Sequence, residues 1–151
     1  MWSRTDNILV VSTLKSTRFY SLVNIEHETL NELDQDSFAG FSEEPTLAIS
    51  NMASVVLPTN GHTGPPRYDD SRYVVQVTST RVLLVNLFTG MRDSIWRGEA
   101  DIVAASANPS QVVVALKGGM LVILAVRDSK LIELRSVSML ICYFLLSMIF
   151  G

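Results

Sequence analysis

One hairpin unit occurs three times along this chain. The first copy is Ile8-Leu9-Val10-Val11-Ser12, a turn, then Thr17-Arg18-Phe19-Tyr20-Ser21-Leu22. The second is Tyr73-Val74-Val75-Gln76-Val77, the turn Thr78-Ser79-Thr80, then Arg81-Val82-Leu83-Leu84-Val85. The third is Val112-Val113-Val114-Ala115-Leu116, the turn Lys117-Gly118-Gly119, then Met120-Leu121-Val122-Ile123-Leu124. Short β-branched runs bounded by turn residues read as strands, not helices. A third short run follows each hairpin, at Leu30–Leu33, Asp93–Trp96 and Leu131–Leu134. From Tyr73 to Val112 the step is 39 residues, close to the roughly 40–45 residues of a four-stranded propeller blade.

Further strands are expected at Thr46–Ser50 and Ile102–Ala107, and no segment before Ser136 carries a capped helical period. The fold class is therefore all-β. The repeat makes it a partial β-propeller of two to three WD40-like blades. A blade cannot bury both faces alone and must stack on its neighbours, and closed propellers need about four to eight blades. This chain is not expected to close by itself, and it reads as an internal fragment. Residues 1–135 are the blades, with an inserted loop at 52–71 that accounts for the wider gap between the first two copies. The Gly-, Pro- and Asn-rich stretch Pro58–Asp70 within it reads as a surface loop.

Residues 136–151 form an apolar tail, almost continuous from Met139 to Phe150 and broken at Ser147. A membrane-spanning helix needs about 20 such residues. Three readings remain: the first strand of a next blade cut short, misread sequence, or a very short tail anchor.

The charge pattern argues against a nucleic-acid surface. Acidic residues concentrate between Glu26 and Glu44, and the Lys and Arg residues are scattered singly. A phosphate-binding stripe needs them clustered. Cys142 is the one cysteine, so no intrachain disulfide can form, which suits a reducing compartment. The first residues lack the apolar core of a signal peptide, and these features together favour a nuclear or cytoplasmic protein.

Catalytic patterns are nearly absent. His27 and His62 sit in separate polar stretches, and no HExxH or paired CxxC occurs. Gly118-Gly119 joins two strands without the lysine and helix of a phosphate cradle, and reads as a hairpin turn. The adjacent carboxylates Glu43-Glu44 and Asp69-Asp70 do not face one another across a pocket, as acid/base pairs must. No catalytic residue, metal ligand or cofactor is expected. Trp96 is the one tryptophan in the repeat body. It reads either as packing between blades or as an anchor for a partner.

The stretch Val75-Gln76-Val77-Thr78-Ser79, Arg81-Val82-Leu83-Leu84-Val85, Trp96 and Ala104-Ala105-Ser106-Ala107-Asn108-Pro109-Ser110-Gln111-Val112-Val113-Val114-Ala115 resembles the second propeller of the damaged-DNA-binding protein 1 family. That family groups with the large subunits of the pre-mRNA cleavage factor and the splicing factor 3b complex. Residues 8–51 resemble it more loosely, and the insertion and the tail depart from it. The resemblance implies a non-enzymatic, nuclear adaptor linking a cullin-based ubiquitin ligase to substrate receptors in DNA repair. It implies a cullin and substrate receptors as partners, and nucleic acid only indirectly or in the full-length complex; no membrane is expected, because the apolar tail is short and lacks flanking basic clusters. It places Trp96 among candidate cullin-facing residues. The alternatives are an RNA-processing propeller subunit that binds nucleic acid and a short tail-anchored membrane protein.

Overall fold

A computed structural model describes residues 8–24, 29–32, 39–56 and 67–139. Eleven strands run through them: β1 Ile8–Ser12, β2 Thr17–Asn24, β3 Thr29–Glu32, β4 Thr46–Val56, β5 Arg67–Thr78, β6 Val82–Asn86, β7 Arg92–Trp96, β8 Ile102–Ala107, β9 Val112–Leu116, β10 Met120–Arg127 and β11 Lys130–Ser138. Each of the three hairpins read from the sequence is present, and the third run of each copy adds an antiparallel strand.

The strands form one three-stranded meander, β1-β2-β3, and two four-stranded meanders, β4-β5-β6-β7 and β8-β9-β10-β11. The two larger meanders touch as one sheet through a single parallel pair, Arg127 with Val55. They are propeller blades stacked face to face, inner strand β4 near β8 and outer strand β7 near β11. The arrangement is not closed. The chain is an all-β partial propeller.

The core lies between the two complete blades. Val75, Val77, Val82 and Leu84 from the second blade meet Val112, Val114, Val122 and Leu124 from the third. Alternation explains the choice, because successive strand side chains point to opposite faces. On β9 and β10, residues 112, 114, 116, 122, 124 and 126 are buried, and those between them only half-buried. The second blade differs. Leu83 and Val85 are buried as completely as Val82 and Leu84, because both faces of β6 are covered.

The covering on the other face comes partly from the connector 39–45. Phe41 packs on Phe19 of β2 with ring centroids 4.5 Å apart. Gly40 sits so close to the second blade that a Cβ there would lie 2.7 Å from Val85 Cγ1 and 2.9 Å from the Gly90 carbonyl oxygen. Only a residue without a side chain fits that approach.

Two element boundaries differ from the sequence reading. The inserted loop expected at 52–71 is strand at both ends: Ser54 pairs with Asp69, Val55 with Tyr68 and Val56 with Arg67. A register shift between Met52 and Ser54 interrupts the alternation by which a strand is recognised in sequence. Asp69 and Asp70 therefore belong to β5. At the other end β11 continues to Ser138 and takes in residues 136–138, which were grouped with the tail. A shift opposite Ile123/Leu124 leaves Leu134 without a register partner, which broke the pattern there. The remainder of the tail, 140–151, and Pro58–Pro66 lie outside the described residues.

Candidate protein-interaction surface

Gly118 and Gly119 have φ values of 105° and 86° and form the β9–β10 turn, as a hairpin requires. Among the described residues, no three of His, Cys, Asp and Glu come together to hold a metal ion. His27, His62 and Cys142 lie outside the described residues. An open cleft of about 550 Å³ between β1 and β4 is lined by Leu9, Val10, Val11, Ser12, Thr46, Leu47, Ala48 and Ile49. None of these lining residues is titratable. Its hydroxyls are engaged: Ser12 Oγ accepts from the Thr46 amide at 2.9 Å, and Thr46 Oγ1 lies 2.7 Å from Thr17 Oγ1. Among the described residues no helix is long and apolar enough to cross a membrane.

Polar groups instead build a seam between the first blade and the second. Gln76 is fully buried on β5. Its Nε2 donates to the Ser42 carbonyl and to Thr46 Oγ1, both at 2.8 Å, and its Oε1 accepts from the Ser42 amide at 2.8 Å. Thr17 anchors the connector from the other side, its amide donating to the Glu43 carbonyl and its hydroxyl to the Glu44 carbonyl. Glu44 then reaches the β5–β6 turn. Its carboxylate is 2.6 Å from Arg81 Nη2 and accepts from Thr80 Oγ1 at 3.1 Å.

Partial burial pushes the Glu44 carboxyl up. Hydrogen bonds from Thr78 and Thr80, with the charge and hydrogen bond of Arg81, outweigh it, and the carboxyl lies below the ordinary carboxylate value. A depressed folded-state value means stabilisation that is present above the unfolded-state value and lost as the pH falls through the folded one. Between about pH 6 and about pH 3 the wild-type chain is expected to lose more stability than Glu44→Gln. Solvent reaches the pair, so the difference is about 0.5–1 kcal/mol. Urea unfolding at the two pH values checks this; identical pH dependence in both proteins would rule the contribution out.

Some of the outward features lie along β7 and the turn before it. Trp96 closes β7 opposite Val82. Its side chain packs half-buried against the inter-blade core. A Cβ on Gly98 would stand 3.0 Å from Trp96 Cη2 and 3.0 Å from the Leu116 methyls, so the indole lies close over that glycine beside Leu116. Asp93 and Ile95, alternate residues of the same strand, are exposed. In the β6–β7 turn Phe88 is 93% exposed and Met91 58%. These two residues were not singled out from the sequence. The available signal was an aromatic at the centre of a turn, where polar residues are the rule.

The stacked four-stranded meanders and the core between them define a propeller-blade protein. Residues 1–142 match the RSE1/DDB1/CPSF1 second beta-propeller family model, and the chain belongs to that family. It is similar to DNA damage-binding protein 1 of Oryza sativa subsp. japonica, 31% identical over 137 residues, which are 89% of this chain and 11% of that protein. It is also similar to DNA damage-binding proteins 1b and 1a of Arabidopsis thaliana, 34% and 33% identical over 135 and 133 residues, or 87% and 86% of this chain. The chain spans about a tenth of the length of these curated relatives.

Proposed function

We propose that this chain is a non-enzymatic protein-interaction scaffold, part of a nuclear propeller adaptor that docks a cullin-based ubiquitin ligase in DNA damage repair. The observation that carries the reading is the family match across residues 1–142, on a fold whose blades stack as propeller blades do. The relatives reported above bear the damage-binding name, which favours this branch over RNA processing within the same family. The polar seam supports a rigid scaffold, because the side chains of Gln76, Thr17 and Thr46 are bonded to the connector backbone and to one another. Trp96 is the proposed cullin-facing residue, through the part of its ring that the core leaves uncovered.

The test is calorimetric titration of the purified chain with the amino-terminal domain of a cullin. Saturable one-to-one binding is expected. Trp96→Phe, which keeps an aromatic ring against the core, is expected to weaken it several-fold, since an interface tryptophan supplies contact that phenylalanine only partly replaces. Absence of binding by the wild-type chain would overturn the adaptor reading.

A further inference from the structure

We propose that two copies of this chain assemble head to tail, the apolar tail of each laying a strand along the inner edge of β1 in the other. The stretch that docks is 144–150, and the exchange closes a ring of six blades, three from each copy. This assembly is independent of the cullin reading.

β1 marks a place where an inner strand belongs. β5 lies between β4 and β6, and β9 between β8 and β10. β1 holds the same position in its repeat, yet among the described strands it has β2 alone beside it. The open cleft of about 550 Å³ lies on that side, between residues 9–12 of β1 and 46–49 of β4. β4 pairs with β5 and lies beside β8. A strand in the cleft would likewise pair with β1 and lie beside β4. A strand residue in a packed sheet takes up about 160 Å³, from its rise and the two sheet spacings, so the cleft holds about three to four residues. That is the length residues 9–12 can pair. Side-chain exposure points the same way. Val75 and Val114, the equivalents of Val10 in the other copies, are fully buried, whereas Val10 is half-buried and Val11 and Leu47 are each 40% exposed. Residues 1–7 carry no apolar run to fill the place.

The tail has the sequence of an inner strand. Five residues, 97–101, separate the outer strand β7 from the inner strand β8. The same step from Ser138, the end of β11, starts an inner strand at Phe144. β8 is an apolar run broken at Ser106, and 144–150 is an apolar run broken at Ser147. Its root lies on the third blade, where the Met139 amide donates to the Gly119 carbonyl at 2.6 Å. The chain steps from outer strand to next blade in one sense, β3 to β4 and β7 to β8. A further step in that sense leads away from the second blade, and β1 lies on the other side of it. Three blades cannot bring the two ends together, since closed propellers take about four to eight.

A second copy can. Its β1 offers the inner edge, and an added strand gains affinity from main-chain hydrogen bonds. Its first blade covers the open face of the third, where Val113, Leu121 and Ile123 are only half-buried. Its own tail returns the exchange to the first copy. Head-to-tail contact closes when the rotation returns to its start, and forms fibres when it does not. Six blades fall within the closing range. The ring dissociates on dilution, and the dilute chain is the monomer described above.

The experiment is sedimentation velocity over a range of concentrations on the full chain, on Leu47→Lys and on a chain ending at Met139. The full chain is expected to pass from monomer to dimer and no further. Leu47→Lys sets a charge on the cleft wall where the strand must lie, and is expected to weaken the dimer about tenfold or more. Leu47 is already 40% exposed, so the melting temperature of the dilute chain is expected to hold. The chain ending at Met139 is expected to stay monomeric. Mixed one to one, the two variants are expected to form a heterodimer, because one keeps the tail and the other keeps the cleft. A full chain that stays monomeric overturns the proposal, and so does one that grows past the dimer. Leu47→Lys dimers as tight as wild type would show tails sticking to tails and overturn it as well. A mixture of the variants that forms no heterodimer rules out the exchange.

Discussion

Leu124→Ala is expected to lower the stability of the chain by about 2–5 kcal/mol, the range for removing a buried leucine and leaving a cavity. Leu124 is fully buried, stands opposite Val112 on β9 and belongs to the core between the second and third blades. That core is shared by two sheets, so neither can collapse into the gap without moving the other. The neighbouring Ile123 is the control. It is the next residue on the same strand, points to the opposite face and is only half-buried. Ile123→Ala is expected to cost about 1 kcal/mol, in proportion to the smaller area it removes from water. Urea unfolding of both variants against wild type makes the comparison. Equal losses would mean that the second face of the third blade is as well covered as the first.

Gln76→Leu is expected to cost about 3 kcal/mol although it exchanges a polar residue for an apolar one of similar size. The three hydrogen bonds of its amide serve the Ser42 amide, the Ser42 carbonyl and Thr46 Oγ1. Ser42 is itself buried, so leucine at position 76 leaves a backbone donor and acceptor dry and unpaired. Each such group costs about 1–3 kcal/mol. The effect has an address. Amides of the connector 39–45 are expected to lose hydrogen-exchange protection, whereas β9 and β10 keep theirs. Loss spread evenly over the chain would show that Gln76 is an ordinary core position. The Glu44–Arg81 pair belongs to the same seam, and its removal is the milder change because water already solvates it.

The two variants probe different layers of the molecule, and those layers were unequally legible in the sequence. Leu124 could be placed in a core strand from its surroundings, but not Gln76 in a hydrogen-bonded seam. At position 76 a glutamine between valines reads as the solvent-facing member of an alternation. It is buried because the connector, some 30 residues earlier in the chain, crosses that face. Glu44, which the sequence shows only as one of a run of acidic residues, meets Arg81 across 37 residues. Trp96 was legible as a notable residue at the end of an outer strand. The closeness of its indole to Gly98 and Leu116 depends on how two blades stack.

Strand positions, hairpin turns and the repeat followed from the residues alone, because β-branched runs, turn glycines and alternation act within five or six positions. The register shifts at Met52/Ser54 and Ile123/Leu124 were hidden, since an extra residue is recognised only against its partner strand. Burial was hidden for the same reason. Val82-Leu83-Leu84-Val85 and Val112-Val113-Val114-Ala115 look alike as text. The first run is buried on both faces, and the second on alternate residues only. A strand's composition states that it can be covered. Which faces are covered depends on where its blade stands in the stack, and that is a property of neighbours brought together from distant parts of the chain.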